Sequence, residues 1–584
     1  MISFYQQYEI SYLTDKIEGR ENLSSQSEYS KKIWIKSYEQ GVKTAVDYKD
    51  ILVSQYLEES AKNFPDNPAL IFQGFTVTFQ ELNEMVARFS AALKGFGIKK
   101  GDSVAILLPN VIPCVVAYYA TLKIGAIVVL NNPLYSDREL EHQFTDSNST
   151  FLITLDLLAK RMVSLREKTN IKTIVYTSIG DYLPFAKRLL FPLVAKKKGL
   201  AADVAPAKNL FKFKDVIAKN APDYNQTPVT MDDVAMYQYT GGTTGVSKGV
   251  MLTHKNISYQ IQQLEAWFPA FQKGAEIMLG ALPIFHVFGM SVSMNFAIRM
   301  GWANVLVPKP QPEPLLEALS KFKVSFAPLV PTMYIGMLDH PDMEHTDLTS
   351  IKGCFSGSAP LPLEVINNFQ EKTGSIIVEG FGLTESTPVT HVNPFNGVRK
   401  QGSIGVPIPD TECKIVDLND KTREVPPGEP GELLIRGPQI MKGYLKKPDE
   451  TKKTLTEDGF LCTGDVARMD EDGYFYIVDR IKDMIISGGY NVYPRDIDEV
   501  LFEHPKILEG CCIGIPHEKR GEAVKAFVVL KEGEEMTEKE VIDYCDTKLA
   551  KYKLPIKVEF RKELPKSNVG KILRKDLRKE ELEK

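Results

Sequence analysis

Residues 103–130 read SVAILLPNVIPCVVAYYATLKIGAIVVL and carry a clear local pattern. SVAILLP is a short apolar run typical of a buried strand, the segment after it is long enough for a buried helix, and AIVVL at 126–130 is strand-like again. Pro113 and Lys123 interrupt the apolar stretch, which therefore falls short of a clean membrane span. A strand, a helix and a strand in succession predict a parallel sheet covered by helices.

The same alternation extends to both sides of this segment. Upstream, Thr78 and Glu81 form a capping box that predicts the start of an amphipathic helix. Downstream, the pattern recurs around 151–178 and 276–340 without a fixed-period repeat. The sequence therefore predicts an α/β fold with a large N-terminal domain of helix-covered parallel sheets.

The character of the chain changes after about residue 410. CKIVD, GELLIRG and YFYIVDR are short strand-like runs between Gly and Pro turns, which predict a small β-barrel-like subdomain. Beyond Arg480, two helical patterns and two apolar strand patterns predict a small, mobile α+β C-terminal domain. The predicted boundaries are 1–50 for an N-terminal extension, 51–480 for the N-terminal domain with 408–480 as its β-rich part, and 481–584 for the C-terminal domain.

Composition and charge exclude several classes of protein. The 584 residues are 43% hydrophobic and 25% charged, which is ordinary for globular chains and excludes collagen-like or wholly disordered ones. A formal net charge of -4 argues against nucleic acid as the main partner. The 7 cysteines contain no CxxC and the 8 histidines no HExxH, so neither a disulfide framework nor a common zinc site is indicated. With no secretory signal visible at the N-terminus, we expect a cytoplasmic protein.

The strongest local motif is YTGGTTGVSKGVMLTH at 239–254. Its glycines let backbone amides approach a polyphosphate, and its hydroxyls and lysine add further donors. The candidate phosphate-binding residues are Thr240, Gly241, Gly242, Thr243, Thr244, Gly245 and Lys248. The Walker A spacing does not fit, which disfavours an ordinary P-loop NTPase. A Gly- and Thr-rich turn without a ligand is the alternative.

Three further strings contain residues suited to a nucleotide. In EGFGLTES at 379–386, the Phe381 ring can stack on a base and Glu385 is an oxygen ligand suited to Mg²⁺, although a plain turn explains this string nearly as well. Asp465 of the TGD string can accept from a ribose diol, and Arg480 follows in VDRIK; turn and ion-pair roles are the alternatives. Lys571 lies in the flexible polar loop of LPKSNVGKILRK, where a mobile cation suits a reaction between two anions, unless it is only a solvated lysine of a basic tail.

In their order and spacing, these strings closely resemble the adenylate-forming (AMP-binding) superfamily over roughly residues 50 to 580. The string DGFLCTGDVARMDEDGYFYIVDRIKDMIISGGYNVYPRDIDEVL at 458–501 is most similar to bacterial long-chain fatty acid CoA ligases. The resemblance implies ATP-dependent ligation of a long-chain fatty acid to coenzyme A through an acyl-adenylate, with release of AMP and pyrophosphate. ATP, Mg²⁺ and coenzyme A are the cofactors it implies.

The resemblance also implies a role for each matched residue. The loop from Thr240 to Lys248 would hold pyrophosphate, Thr384 would touch the α-phosphate, and Glu385 with Thr244 would bind Mg²⁺. Lys571 would bridge the carboxylate and the α-phosphate, and His286 would gate the acyl pocket. The remaining implied contacts are adenine at Gly357, Ser358, Ala359, Phe381 and Gly382, ribose at Asp465 and Arg480, a hinge at Lys482, and the thiol path at Gly488 and Gly489.

Substrate and partner choice stay less defined. The apolar, Met-containing strings LPIFHVFGM at 282–290 and APLVPTMYIGM at 327–337 suit a long acyl tail, but apolar stretches are more often plain core. A ligase for medium-chain or aryl acids, an acyl-AMP ligase that serves a carrier protein, and a non-catalytic sensor are the competing interpretations. Residues 181–199 combine bulky apolar residues with lysines and an arginine, which fits either a membrane surface or a helix packed on its own domain. A homodimer is a further open alternative.

Overall fold

The protein is described by a computed structural model. It covers residues 27–195, 199–240, 247–487, 490–518, 520–567 and 571–583, with the backbone alone for 192–194.

The β-strands are numbered in chain order. They are β1 (Pro68–Phe72), β2 (Phe75–Thr78), β3 (Ser103–Leu107), β4 (Ile127–Leu130), β5 (Ser149–Leu155), β6 (Thr173–Thr177), β7 (Leu210–Lys212), β8 (Val234–Thr240), β9 (Lys248–Thr253), β10 (Ile277–Gly280), β11 (Ala303–Leu306), β12 (Phe326–Leu329), β13 (Gly353–Ser356), β14 (Ile376–Gly382), β15 (Val389–Val392), β16 (Val406–Pro407), β17 (Glu412–Val416), β18 (Gly431–Arg436), β19 (Gly443–Tyr444), β20 (Leu461–Met469), β21 (Phe475–Arg480), β22 (Ile485–Ser487), β23 (Tyr490–Val492), β24 (Ile507–His517), β25 (Gly521–Leu530) and β26 (Lys557–Phe560).

The α-helices are α1 (Val53–Asn63), α2 (Phe79–Gly95), α3 (Ile112–Lys123), α4 (Asp137–Asp146), α5 (Asp156–Leu165), α6 (Phe185–Ala195), α7 (Phe213–Lys219), α8 (His254–Trp267), α9 (Phe296–Met300), α10 (Pro312–Lys321), α11 (Pro331–Leu338), α12 (Leu363–Thr373), α13 (Pro448–Thr454), α14 (Pro494–Phe502), α15 (Glu538–Asp546) and α16 (Arg574–Leu582). Short 3₁₀ turns include Thr384–Ser386, and a π-helix spans Gly289–Asn295.

Two large, mainly parallel sheets form the N-terminal domain. One has nine strands in the order β16-β15-β14-β13-β12-β10-β11-β1-β2, and the other has eight in the order β19-β9-β8-β4-β3-β5-β6-β7. The predicted α/β class is confirmed, and the segment 103–130 forms the parallel pair β3 and β4 joined by α3. Every residue of α3 is buried, which is why this segment is apolar on all its faces.

The predicted start of α2 is confirmed at atomic level. The hydroxyl of Thr78 accepts from the backbone N–H of Glu81 at 3.2 Å, and the Glu81 carboxylate accepts from the backbone N–H of Thr78 at 2.8 Å. These two bonds satisfy backbone donors that the first turn of a helix leaves open. Leu82, Val86 and Phe89 then lie on the buried side of the helix, as the sequence predicts.

The C-terminal part of the chain has its own sheets and core. Strands β17, β18, β20 and β21 form a four-stranded antiparallel sheet where the sequence predicts the β-rich subdomain. The last sheet consists of the five strands β22, β23, β24, β25 and β26. Apolar side chains that include Ile497, Val524 and Val541 form a cluster there that is separate from the main core. A smaller α+β domain therefore follows the large one.

The described part of the N-terminal extension lies on the body of the protein. Trp34 is buried, the hydroxyl of Tyr29 donates to the carbonyl oxygen of Val425 at 2.9 Å, and that of Tyr38 donates to Pro407 at 2.7 Å. Among the described residues, no helix has the length and apolarity that a membrane crossing requires.

Candidate active site

The predicted site residues follow parallel strands at one edge of the nine-stranded sheet. Strands β10, β12, β13 and β14 run parallel, so their carboxyl ends meet at this edge. His286 comes after β10, the predicted adenine loop 357–359 follows β13, and Phe381 lies near the end of β14. Ligands of α/β sheets bind outside the carboxyl ends of the strands, which makes this edge the natural place for a site.

Regular structure holds both ends of the glycine-rich loop. Thr240, the last residue of β8, lies opposite Lys248, the first residue of β9, in an antiparallel pair. The imidazole of His142 lies 2.9 Å from the carbonyl oxygen of Ser247. Residues 241–246, which include the predicted Gly241, Gly242, Thr243, Thr244 and Gly245, lie outside the described residues. The two described ends close a hairpin connection at the carboxyl end of β8.

The predicted adenine loop is tightly enclosed and strained. Ser358 has a positive φ of 73°, which is uncommon for a residue with a side chain and concentrates at functional sites. A Cβ on Gly357 would lie 3.1 Å from the Phe288 ring, and the half-buried Ala359 follows. The hydroxyl of Ser356 is buried with no hydrogen-bond partner among the described residues. The end of β13, next to the loop, thus carries a hydroxyl without a partner among the described residues.

Phe381 and Gly382 end β14, the strand that pairs with β13 beside this loop. The Phe381 ring is half-buried, and its centroid lies 6.0 Å from that of His391 in an edge-on contact. A Cβ on Gly382 would lie 1.7 Å from the carbonyl oxygen of Pro388, so glycine is required there. The turn Thr384–Ser386 follows, and Thr384 and Glu385 in it are both half-buried.

Tyr444 joins Glu385 to the glycine-rich loop. Its hydroxyl donates to Glu385 Oε1 at 2.8 Å, and its ring centroid lies 4.9 Å from the ammonium of Lys248. Burial and the nearby Glu385 carboxylate raise the pKa of Tyr444, so it stays a hydrogen-bond donor at neutral pH. The Lys248 ammonium also lies 2.8 Å from Glu450 Oε2. Strand β19 carries Tyr444 to this position by pairing with β9.

A cavity of about 230 Å³ opens beside Glu385 and Tyr444 and reaches Thr463 and Gly464 at the start of the TGD string. It connects the predicted Mg²⁺ ligand with the predicted ribose-binding turn. Gly464 is held there because its N–H donates to Glu432 Oε1 at 3.2 Å.

Asp465 and Arg480 lie opposite each other on β20 and β21. Asp465 Oδ1 is 3.1 Å from Arg480 Nε, while Oδ2 is buried without a hydrogen-bond partner among the described residues. A buried carboxylate oxygen without a donor is costly, so a ligand with hydroxyl groups is the expected partner. Recognition of a ribose diol by Asp465 stays a prediction.

Lys571 of the C-terminal domain faces the same region. Burial, followed by the positive charge of Arg480, lowers the pKa of Lys571 to about 8, while the Asp465 carboxylate acts in the opposite direction. The backbone N–H of Lys571 donates to the hydroxyl of Ser567 at 3.1 Å, and the N–H of Ser567 donates back to the Lys571 carbonyl at 2.8 Å. The lysine is therefore presented from a closed loop, of which residues 568–570 lie outside the described part.

His286 completes the group around Lys571. Burial and the positive charge of Lys571 lower the pKa of His286 to about 4, so its imidazole is neutral at physiological pH. Its Nδ1 accepts from the backbone N–H of Phe288 at 3.3 Å. The predicted acyl-binding strings 282–290 and 327–337 start at or near the carboxyl ends of β10 and β12 and are mostly buried.

Lys482 lies in the turn after β21 and is exposed; partial desolvation and the charge of Arg480 lower its pKa to about 8. Gly488 and Gly489, predicted to line the thiol path, lie outside the described residues, between β22 and β23.

Comparison with known proteins identifies two family domains in the chain. The family model "AMP-binding enzyme" matches residues 57–445, and "AMP-binding enzyme C-terminal domain" matches residues 496–571. The chain belongs to the AMP-binding enzyme family. A long-chain-fatty-acid–CoA ligase of Bacillus subtilis (strain 168) is 44% identical over 557 residues, which cover 95% of this chain and 99% of that protein. One of Escherichia coli O157:H7 is 39% identical, over 94% of this chain and 98% of the relative.

Solved structures of the same family have the same architecture. ATP-bound MatB from Rhodopseudomonas palustris superposes with a TM-score of 0.80 at 27% identity, covering 91% of this chain and 99% of that chain. The anthranilate CoA ligase AuaEII in complex with anthranoyl-AMP gives a TM-score of 0.81 at 27% identity, with 91% and 98% covered.

The residues of this AMP-binding enzyme fit Mg²⁺ at Glu385. Mg²⁺ binds oxygen, and it commonly takes one or two protein carboxylates and completes its shell with water and substrate phosphates. One Glu385 oxygen is held by Tyr444, and Oε2 has no hydrogen-bond partner within the part of the chain that the structure describes. The second predicted ligand, Thr244, lies outside those residues.

Sequence reasoning missed Tyr444 and Arg578 of this AMP-binding enzyme. Tyr444 supports Glu385 from 59 positions away, and Arg578 contacts the peptide at Lys482 from 96 positions away. Neither residue stands in a string with a chemical pattern of its own, so only the folded chain reveals them. The residues that the structure does bring together are Lys571, Asp465, Arg480 and His286 on one side, and Glu385 and Lys248 through Tyr444 on the other.

Proposed function

We propose that this chain ligates a long-chain fatty acid to coenzyme A in two steps. ATP and the acid first give acyl-AMP and pyrophosphate, and the thiol of coenzyme A then displaces AMP. The near full-length similarity to long-chain-fatty-acid–CoA ligases supports this reaction. The observation that carries the site is that Lys571 lies close enough to Asp465 and Arg480 for their charges to interact, and near enough to His286 to lower the pKa of its imidazole.

The first step must bring a carboxylate to a triphosphate of like charge. In our proposal the carboxylate oxygen forms a bond to the α-phosphorus as the bond to the β-phosphate oxygen breaks, and the electron pair leaves with pyrophosphate. The ammonium of Lys571 lies between the two anions and offsets their repulsion, while Lys248 and the glycine-rich loop hold the leaving pyrophosphate. Mg²⁺ held by Glu385 would neutralise part of the negative charge on the phosphates.

The nucleotide is oriented by the groups around the strand ends. Asp465 accepts from the ribose through its unpaired Oδ2, Arg480 fixes that carboxylate, and Phe381 covers the base. His286 lies within the first acyl-binding string and gates the acyl pocket. Because its imidazole is neutral, an aliphatic tail that passes it does not have to desolvate a charge. In the second step a rotation about Lys482 withdraws Lys571 and brings the turn at Gly488 and Gly489 to the adenylate, where the thiol forms the thioester and AMP leaves.

A pyrophosphate-release assay over acids of rising chain length, run with and without coenzyme A, tests this function. We expect turnover to rise with chain length, because each buried methylene contributes about 0.8 kcal/mol, and to require coenzyme A for multiple cycles. Highest turnover with aryl or short acids would exclude the long-chain assignment. Turnover that needs an acyl carrier protein instead of coenzyme A would exclude the acceptor.

We also propose that α6 holds this cytoplasmic enzyme at an anionic membrane surface. Phe185, Leu189 and Leu190 are 68%, 62% and 62% exposed, whereas Phe191 packs inward beside Gly180. Arg188, beside this apolar arc, and the lysines that follow the helix in the sequence complement anionic headgroups.

All seven cysteines are free thiols, in keeping with a reducing compartment.

Co-sedimentation with vesicles tests this surface. We expect binding to phosphatidylglycerol vesicles that a Leu189→Ser, Leu190→Ser variant loses, with unchanged ligation of a soluble medium-chain acid. Equal binding to neutral vesicles, or none to either kind, contradicts the proposal. Sedimentation of the protein alone as a dimer that the variant dissociates would instead assign this face to a second copy of the chain.

A further inference from the structure

Arg578 holds the peptide that follows the hinge residue Lys482. Its Nη1 donates to the carbonyl oxygen of Lys482 at 3.1 Å and to Asp483 Oδ1 at 2.8 Å, and its Nη2 donates to the carbonyl oxygen of Asp483 at 3.0 Å. Asp483 is buried, so water competes little for these bonds. A planar guanidinium with several donors in fixed directions fixes both the distance and the orientation of the group it binds.

The helix that carries Arg578 is itself anchored in the C-terminal domain. Leu577 of α16 is buried in an apolar cluster with Phe527. Arg574 donates to the carbonyl oxygen of Cys512 at 3.1 Å and pairs with the buried Asp498. The helix α16 begins three positions after Lys571. The hinge peptide, the helix and the segment with Lys571 therefore move together as one rigid group.

The bonds that cross the hinge are of a different kind. The backbone N–H groups of Asp483 and Met484 donate to the carbonyl oxygen of Arg480 at 2.9 and 3.1 Å, and Arg480 belongs to β21 of the N-terminal domain. Because the peptide unit is planar, rotation about either the N–Cα or the Cα–C bond of Lys482 carries the carbonyl oxygen of Lys482 along with Asp483. Such a rotation breaks the bonds to Arg480 and leaves those of Arg578 intact.

We infer that Arg578 is a positioning residue that clamps the Lys482–Asp483 peptide to the C-terminal domain and so confines the domain rotation to the backbone of Lys482. This inference rests on the proposed function, because it takes the domain to swing between the two half-reactions. Without the clamp, Asp483 and Met484 share the rotation. Lys571 in the first step, and Gly488 and Gly489 in the second step, then reach the adenylate in a less fixed orientation.

Limited cleavage by trypsin after Lys482 tests the clamp without reference to activity. We expect cleavage at this bond to be at least fivefold faster in Arg578→Ala than in the wild type, because the protease must pull the peptide away from its neighbours. The matched control is Arg561→Ala, which removes an ion pair to Glu580 on the same helix and should cleave at the wild-type rate. Equal rates in Arg578→Ala and the wild type, or a rise spread equally over all sites, would overturn the clamp.

A double variant tests where the rotation takes place. Lys482→Pro restricts φ at the hinge, and we expect it to slow thioester formation from supplied acyl-AMP at least tenfold. Adding Arg578→Ala should recover at least threefold of that loss, because the rotation can then move to Asp483. A double variant no faster than Lys482→Pro, or a Lys482→Pro variant with normal thioester formation, contradicts the inference. Wild-type protein that forms no acyl-CoA contradicts the proposed function instead, and the trypsin assay still judges the clamp.

Discussion

Asp465 and Arg480 face each other across two antiparallel strands, and Arg480 pairs with only one of the two carboxylate oxygens. The second oxygen, Oδ2, is buried and has no hydrogen-bond partner among the described residues. The fold thus leaves one desolvated acceptor in the candidate site and fixes its direction through Arg480. Such an acceptor gains most from a ligand hydroxyl, since a buried polar atom without a hydrogen bond is costly.

Asp465→Asn should therefore weaken ATP binding more than it weakens catalysis. We expect the KM for ATP to rise about ten- to a hundredfold, because a hydrogen bond to a charged group contributes about 1.5–3 kcal/mol. The wild type should discriminate against deoxy-ATP analogues that lack a ribose hydroxyl, and the variant should not. Asp470→Asn, in the turn that joins the same two strands and bonded to Lys400, is the control. If the variant still discriminates as the wild type does, Asp465 does not bind the ribose.

How far the sequence predicts this molecule depends on how local each interaction is. The Thr78–Glu81 capping box spans four residues and the burial of α3 follows from its own apolar sequence, so both are predictable. The contact from Tyr444 to Glu385 exists only because β19 pairs with β9, and strand pairing between distant segments is not encoded in either string. The positions of the strings were predictable, but the residues that hold them were not.

Lys571→Ala should separate the two half-reactions. The variant loses the cation between carboxylate and phosphate, so we expect acyl-AMP formation to fall at least a hundredfold. Thioester formation from supplied acyl-AMP should stay within a few-fold of the wild type, because Lys571 is withdrawn in that step. Both rates are measured in single-turnover experiments. An equal loss in both half-reactions would argue against the role assigned to this lysine.

The pH dependence of adenylation should also report on Lys571. Burial lowers the pKa of this lysine to about 8, so the charged form is fully present below that pH and is lost as the pH rises through it. We expect kcat/KM for adenylation to fall above about pH 8, while thioester formation from acyl-AMP shows no such fall. In Lys571→Arg the residual adenylation should stay flat over the same range, because the guanidinium keeps its proton. A wild-type profile that is flat to pH 9.5 would contradict this prediction.

Tyr444→Phe should weaken Mg²⁺ at Glu385 without removing the ligand. The hydroxyl that fixes one carboxylate oxygen is lost, so the carboxylate is less well oriented and the Mg²⁺ concentration for half-maximal rate should rise about three- to tenfold. Glu385→Gln should raise it further. Titration calorimetry of ATP binding at several Mg²⁺ concentrations gives a readout independent of turnover. Tyr476→Phe, whose hydroxyl bonds Asp470 at 3.1 Å, is the control and should leave the Mg²⁺ dependence unchanged.

Gly382→Ala should disrupt the loop between the predicted base and phosphate positions. The new methyl carbon would lie 1.7 Å from the carbonyl oxygen of Pro388, and because that atom belongs to the backbone, the loop must shift to accommodate it. Overpacking of this kind costs about 1–3 kcal/mol, so we expect a lower thermal midpoint and at least a tenfold loss of adenylation. Gly95→Ala is the matched control, since no atom lies within 4 Å of its Cβ position at the end of α2. There the same substitution should raise the midpoint slightly, because alanine favours the helix by about 0.5–1 kcal/mol; a similar response at both positions would rule out the steric argument.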